Sequence, residues 1–106
     1  MTRKYKMYFI TNFKTPKESY TLFRYSGHYF VIEQFDIELL NCSISYIEKD
    51  NNSNDFLLSS LDIKVIDTYA FFTPYKQAGK IKNRCYWCYM VAKDELGLME
   101  FIGGIQ

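Results

Sequence analysis

This chain has little of what catalytic, secreted or membrane-inserted proteins depend on. Its 106 residues include one His, three Cys, one Trp, two Pro, five Gly and three Ala. With a single histidine, any Ser–His or Cys–His nucleophile system must use His28. That residue directly follows Ser26-Gly27, so it reads as the flank of a hairpin turn and no catalytic residue is assigned. No run approaches the roughly 18 apolar residues of a membrane span, and Met1 to Lys6 is charged with no hydrophobic segment after it. The expectation is a soluble cytoplasmic chain with no membrane partner. An odd number of cysteines in such a chain favours free thiols.

The string Cys85-Tyr86-Trp87-Cys88 places two thiols three apart, a spacing used by zinc knuckles and dithiol redox sites. Cys42 and His28 would complete a four-ligand set. Both chemistries need a tight turn or a helix start, whereas residues i and i+3 of a strand point to opposite faces. The neighbours Tyr86, Trp87, Tyr89, Met90 and Val91 favour a strand. Cys42, Cys85 and Cys88 therefore read as buried structural thiols, and neither a metal nor another cofactor is expected. Glu33, Asp36, Glu38, Asp62 and Asp67 match no metal-binding or acid–base spacing and read as a solvated strand face. Gly79-Lys80 lacks the upstream Gly and following Ser or Thr of a phosphate-binding loop.

What the chain does have is aromatic side chains: 10 Tyr, 9 Phe and 1 Trp. At about 200 Å² each they would supply roughly a third of all the surface a domain of this size buries. Ten Tyr hydroxyls cannot all find partners deep in a core, so some rings are expected on a contact face. Net charge is +1, too low for undirected attraction to polyanions. It is unevenly spread, however. Residues 1–30 carry net +5, residues 31–70 net −6 and residues 71–106 net +2. Ten Ile and ten Lys against three Arg match the codon usage of an AT-rich genome, an association that fits a low-GC bacterium, its phages or mobile elements.

The length predicts one domain over residues 1–106. Tyr5 to Phe13 reads as a first strand, and Thr15-Pro16-Lys17-Glu18 as a Pro turn or a capping box. Tyr20 to Tyr25 and Tyr29 to Ile32, separated by Ser26-Gly27, predict a tight hairpin in which Phe23 faces Phe30 and Leu22 faces Val31. Apolar residues switch from odd to even positions near Leu39 and Leu40, which places a bulge or chain reversal there. Residues 49–55 form an exposed polar loop, and Ser53 or Asn54 would cap a short helix through Leu61. Further strands are expected over Ile63 to Phe72, ending at Thr73-Pro74, over Cys85 to Ala92, and over Leu96 to Ile102. Residues 75–84 read as a basic loop. The fold class is mainly β or α+β: a small antiparallel sheet, or a barrel- or sandwich-like fold, with at most one or two short helices.

One cluster stands out. Lys76, Lys80, Lys82 and Arg84 lie within nine residues beside Tyr75 and Tyr86, and Arg3, Lys4, Lys6, Tyr5 and Tyr8 repeat the mixture near the N-terminus. Cations tracking phosphates and rings stacking on bases are the working parts of single-strand nucleic-acid grooves. Surplus Tyr and segregated charge also suit protein interfaces. The leading expectation is a small non-enzymatic protein-binding regulator or inhibitor, of phage or mobile-element type. The alternative is a single-stranded nucleic-acid-binding protein. Contact residues are expected among Tyr5, Tyr8, Tyr75, Lys76, Lys80, Lys82, Arg84 and Tyr86. Homodimerisation through the apolar C-terminal strand Phe101 to Ile105 is a further expectation.

Overall fold

A computed structural model describes residues 5–34, 46–50 and 58–105. They form six antiparallel strands and one helix: β1 (Tyr8–Lys14), β2 (Ser19–Tyr25), β3 (His28–Glu33), β4 (Tyr46–Lys49), β5 (Asp67–Gln77), β6 (Lys80–Ala92) and α1 (Glu95–Gly104). The strand order is β1-β2-β3-β6-β5-β4, an open sheet with β1 and β4 at its edges.

The first three strands follow the expected meander. Thr15 to Glu18 is a turn, closed by the Thr15 N–H on the Glu18 carbonyl at 2.8 Å and by the Glu18 N–H on the Thr15 hydroxyl at 3.1 Å. Ser26 and Gly27 both take positive φ, at 54° and 78°. Two such residues make the turn whose twist matches a two-residue hairpin. The register pairs Phe23 with Phe30 and Leu22 with Val31. Because side chains alternate, these pairs serve two separate cores. Phe23, Phe30, Ile32, Phe71, Cys88 and Met90 pack on one face with Tyr25 and Met7. Tyr20, Leu22, Tyr29, Val31, Tyr89 and Val91 pack on the other with Ile63 and Phe101. At about 1.5–3 kcal/mol for each fully buried large apolar side chain, these two layers dominate the stabilisation.

Three expectations are corrected. Leu96 to Ile102 is not a strand but most of α1. The Asp94 carboxylate accepts the Gly97 N–H at 2.8 Å and caps the helix, the stretch from Glu95 to Phe101 contains no β-branched residue, and Phe101 is buried against the sheet. The C-terminal segment therefore offers no strand edge for dimerisation. Ile63 to Ile66 is irregular, and the strand expected there begins at Asp67 and continues through Pro74 to Gln77. Pro74 is tolerated because, among the described residues, the β4 partners of β5 stop at Phe72, leaving no ladder bond there for the missing N–H to break. Residues 75–84 are not a loop either. They are the paired ends of β5 and β6 around a two-residue turn, Ala78-Gly79, again with both φ positive, at 53° and 76°.

Lys49 ends β4, and Asp50 donates its N–H to the Thr68 carbonyl at 3.1 Å. The rest of the expected polar loop, the phase slip near Leu39 and Leu40, and the cap at Ser53 or Asn54 lie outside the described residues. Leu58 and Ser59 carry helical structure, in keeping with a helix running towards Leu61.

Candidate functional site

β6 is 13 residues long, whereas its pairing with β3 covers only Cys88 to Ala92. Among the described residues, Thr73–Gln77 and Lys80–Arg84 pair with nothing but each other. At about 3.3 Å per residue this hairpin end is a two-stranded arm roughly 17 Å long, buried at its root, where Thr73 is 1% exposed, and open towards its tip.

Cross-strand pairs share a face, and the register then assigns the arm's side chains. Tyr75 pairs with Lys82, Thr73 with Arg84, Gln77 with Lys80 and Phe71 with Tyr86. Tyr75, Lys80, Lys82, Arg84 and Tyr86 therefore lie on one face. The Arg84 guanidinium sits over the Tyr75 ring at 4.4 Å, a stacking that leaves its N–H rim free to donate in its own plane. Lys82 Nζ reaches the Gln77 side-chain carbonyl at 3.4 Å. From Thr73 to Cys85 there is no Asp or Glu, and the charge nearby is Asp50, which acts on the Cys85 thiol at the arm's root.

Lys76 is separated from the other cations. It pairs with Ile81 on the reverse face, where Ile81, Asn83, Cys85 and Trp87 occupy alternate positions, apolar but for Asn83. Ile81 is 69% exposed and Trp87 47%. This apolar strip was not among the expected contact residues. Its signal was present as a period-two alternation from Lys80 to Trp87, basic on even numbers and mostly apolar on odd ones, but a strand pattern has no meaning in a segment read as a loop.

Tyr5 and Tyr8 are not part of the arm. Tyr8 is level with Arg24, Tyr29 and Ala92 across the sheet, ten residues and about 33 Å along β6 from Lys82. The Tyr8 ring lies under Lys6 at 5.5 Å and Arg24 at 5.0 Å. Tyr5 meets Tyr25 edge to face. Sequence proximity to cations grouped two clusters that the fold holds at opposite ends; Arg3 and Lys4 lie outside the described residues.

Cys85 and Cys88 stand on opposite faces of β6, one exposed and one buried. Three residues of extended strand separate their Cα atoms by about 10 Å, beyond disulfide reach. Cys85 corrects the expectation of a buried thiol; Cys42 lies outside the described residues. Burial pushes both thiols up, reinforced at Cys88 by Cys85 and at Cys85 by Asp50, so neither is a ready nucleophile at neutral pH. His28 flanks its turn as expected, with Nδ1 3.0 Å from the Lys93 carbonyl. Glu33 is exposed, but Asp62 and Asp67 are not idle surface charges. Asp67 pairs with Lys49 at 2.9 Å, and Asp62 accepts from the Tyr20 and Thr15 hydroxyls. Asp36 and Glu38 lie outside the described residues.

A groove of about 840 Å³ also runs between α1 and residues 62–66, floored by Ile63, Val91 and Phe101. Its rim carries both signs of charge, and two of its carboxylates, Asp62 and Asp94, are engaged in holding the turn and the helix cap. The arm is the better candidate. Comparison of the chain with protein-family models, with curated proteins and with solved structures finds no match.

Proposed function

We propose that the protein is a non-enzymatic binding module whose contact element is the β5–β6 arm, and that the basic face of the arm takes single-stranded nucleic acid. The observation that carries this reading is the gathering of Tyr75, Lys80, Lys82, Arg84 and Tyr86 on one face of a projecting, acid-free ribbon. Alternate residues of a strand are about 6.7 Å apart, so Lys80, Lys82 and Arg84 form a regular row that suits the phosphates of an extended strand. Tyr75 stands beside the row with Arg84 over one ring face, so a base stacks on the other, while Tyr86 is half-buried against the core beside Phe71. The low net charge does not oppose this. At physiological salt the Debye length is about 8 Å, shorter than the arm, so a ligand at its tip meets the arm's four cations rather than the acids of the body.

The test is fluorescence anisotropy with a labelled oligothymidine. Neutralising about three phosphates gives a slope near −2.1 in log K against log salt, an affinity loss of about 20-fold between 50 and 200 mM. Joint replacement Lys80→Glu, Lys82→Glu and Arg84→Glu abolishes binding, and Tyr75→Ala weakens it by the roughly 1–3 kcal/mol of one stacked base. If the folded protein ignores the oligonucleotide even at 50 mM salt, the reading is wrong.

A second reading, the protein-binding regulator or inhibitor, is favoured by the reverse face. Ile81 and Trp87 are large, exposed and on one side, and Trp is enriched at interface hot spots. A protein partner retained by the triple Glu variant but lost with Trp87→Ala supports this reading in its place.

A further inference from the structure

At the end of the sheet opposite the arm, the face that carries Phe23 and Phe71 opens into a cavity of about 400 Å³. Five of its described lining residues are aromatic: Tyr46 on β4, and four whose rings touch in series. Tyr25 stands before the Ser26-Gly27 turn, Phe30 follows it on β3, Tyr69 comes from β5, and Tyr5 closes over them from the segment before β1. These rings meet in succession and near the perpendicular. Tyr5 and Tyr25 have centroids 5.5 Å apart at 76°, Tyr25 and Phe30 6.4 Å at 70°, and Phe30 and Tyr69 5.1 Å at 87°. Rings turned against each other in this way enclose a volume; they do not make a flat stacking platform.

No Asp, Glu, Lys or Arg is among the described lining residues, and the polar side chains there besides the tyrosines are Ser26 and His28, whose Nδ1 lies 3.0 Å from the Lys93 carbonyl. Lys49, the strand partner of Tyr69, is committed to Asp67 and does not serve as the cavity's own cation. A volume of this size lies within the roughly 300–1,000 Å³ of small-ligand sites. Any apolar guest gains from burial there, but the electron-rich ring faces add an attraction that only a cation with diffuse charge collects. The molecule already uses that attraction on the other side of the sheet, where Lys6 and Arg24 share the Tyr8 ring.

We infer that this aromatic box is a binding site for an alkylated ammonium head group, such as that of choline or of a trimethylated lysine side chain. The site is separate from the arm and does not rest on the arm's function.

Calorimetric titration of the intact chain tests it with three probes: choline, its neutral isostere 3,3-dimethylbutan-1-ol, and a short peptide bearing one trimethyl-lysine. Choline or the peptide binds one to one at millimolar concentration or better, at least about tenfold tighter than the isostere. Tighter binding of the peptide than of choline assigns the site to a protein side chain; the reverse order assigns it to a free small molecule. Tyr69→Ala weakens cation binding about tenfold, and Tyr5→Ala, at the exposed wall, provides the same readout with the inner core untouched. Equal binding of the neutral isostere makes the box a mere apolar pocket and overturns the inference. So does the absence of saturable binding by either cation.

Discussion

Asp62 shows how one carboxylate can organise a buried aromatic. The Tyr20 ring is 2% exposed, and its hydroxyl donates to Asp62 at 2.8 Å. The Thr15 hydroxyl and the Lys17 N–H donate to the same carboxylate. Burial together with the hydrogen bond to Asp62 pushes the Tyr20 hydroxyl well above its ordinary value. At Asp62 burial works in the opposite sense to the hydrogen bonds, and the donors from Thr15, Tyr20 and Lys17 prevail, holding the carboxyl below its usual range. A carboxyl lowered by folding contributes stability above its unfolded value, about 3.9, and that contribution fades as pH falls through the folded value. Tyr20→Phe is accordingly expected to lose about 1 kcal/mol in urea unfolding at pH 7, and Asp62→Asn to lose stability at pH 7 by an amount that shrinks as the pH is taken below about 4. A pH-independent Asp62→Asn difference would show that charge plays no part. That buried tyrosines need partners was legible from composition alone. Which group answers Tyr20 was not, because the partner lies 42 residues away and on its own reads as surface charge.

Among the elements, the two tight hairpins make an instructive pair. Ser26-Gly27 between apolar runs announced the first, and its register followed. The second has the same left-handed turn, but Ala78 occupies the position that Asn or Gly would normally mark, and Pro74 stands inside its strand, so the segment looked like a loop. An L-residue with a Cβ is strained at φ 53°, whereas Asn accepts that conformation and Asn-Gly is the preferred pair. Ala78→Asn is expected to stabilise the protein by about 0.5–1 kcal/mol, a rise of a few degrees in melting temperature, with no change in the arm's binding. α1 was misread for the opposite reason. Gly97, Gly103 and Gly104 obscured it, although Leu98, Phe101 and Ile105, all packed inward, recur at helical spacing and Asp94 stands at the capping position.

For the whole molecule, the order β1-β2-β3-β6-β5-β4 makes β6 the strand that joins two halves, a meander from the first third of the chain and a β4–β5 pair. The arm is the end of β6 that this joint does not use. Protection should follow this division. In native-state hydrogen exchange, amides of Phe30 to Ile32 and Cys88 to Met90 are expected to exchange most slowly and those of Tyr75 to Lys82 much faster; uniform protection along β6 would contradict the arm's isolation. The central position of β6 also has a consequence during synthesis. Ile32 pairs with Cys88 and Tyr29 with Ala92, so β3 must wait for about 60 further residues to be translated. At roughly 5–20 residues per second that is about 3 to 12 seconds, during which Phe30, Val31 and Ile32 present an unpaired hydrophobic edge to other nascent chains. The β2–β3 hairpin is therefore the segment a chaperone would have to shield while the ribosome finishes the strand that covers it.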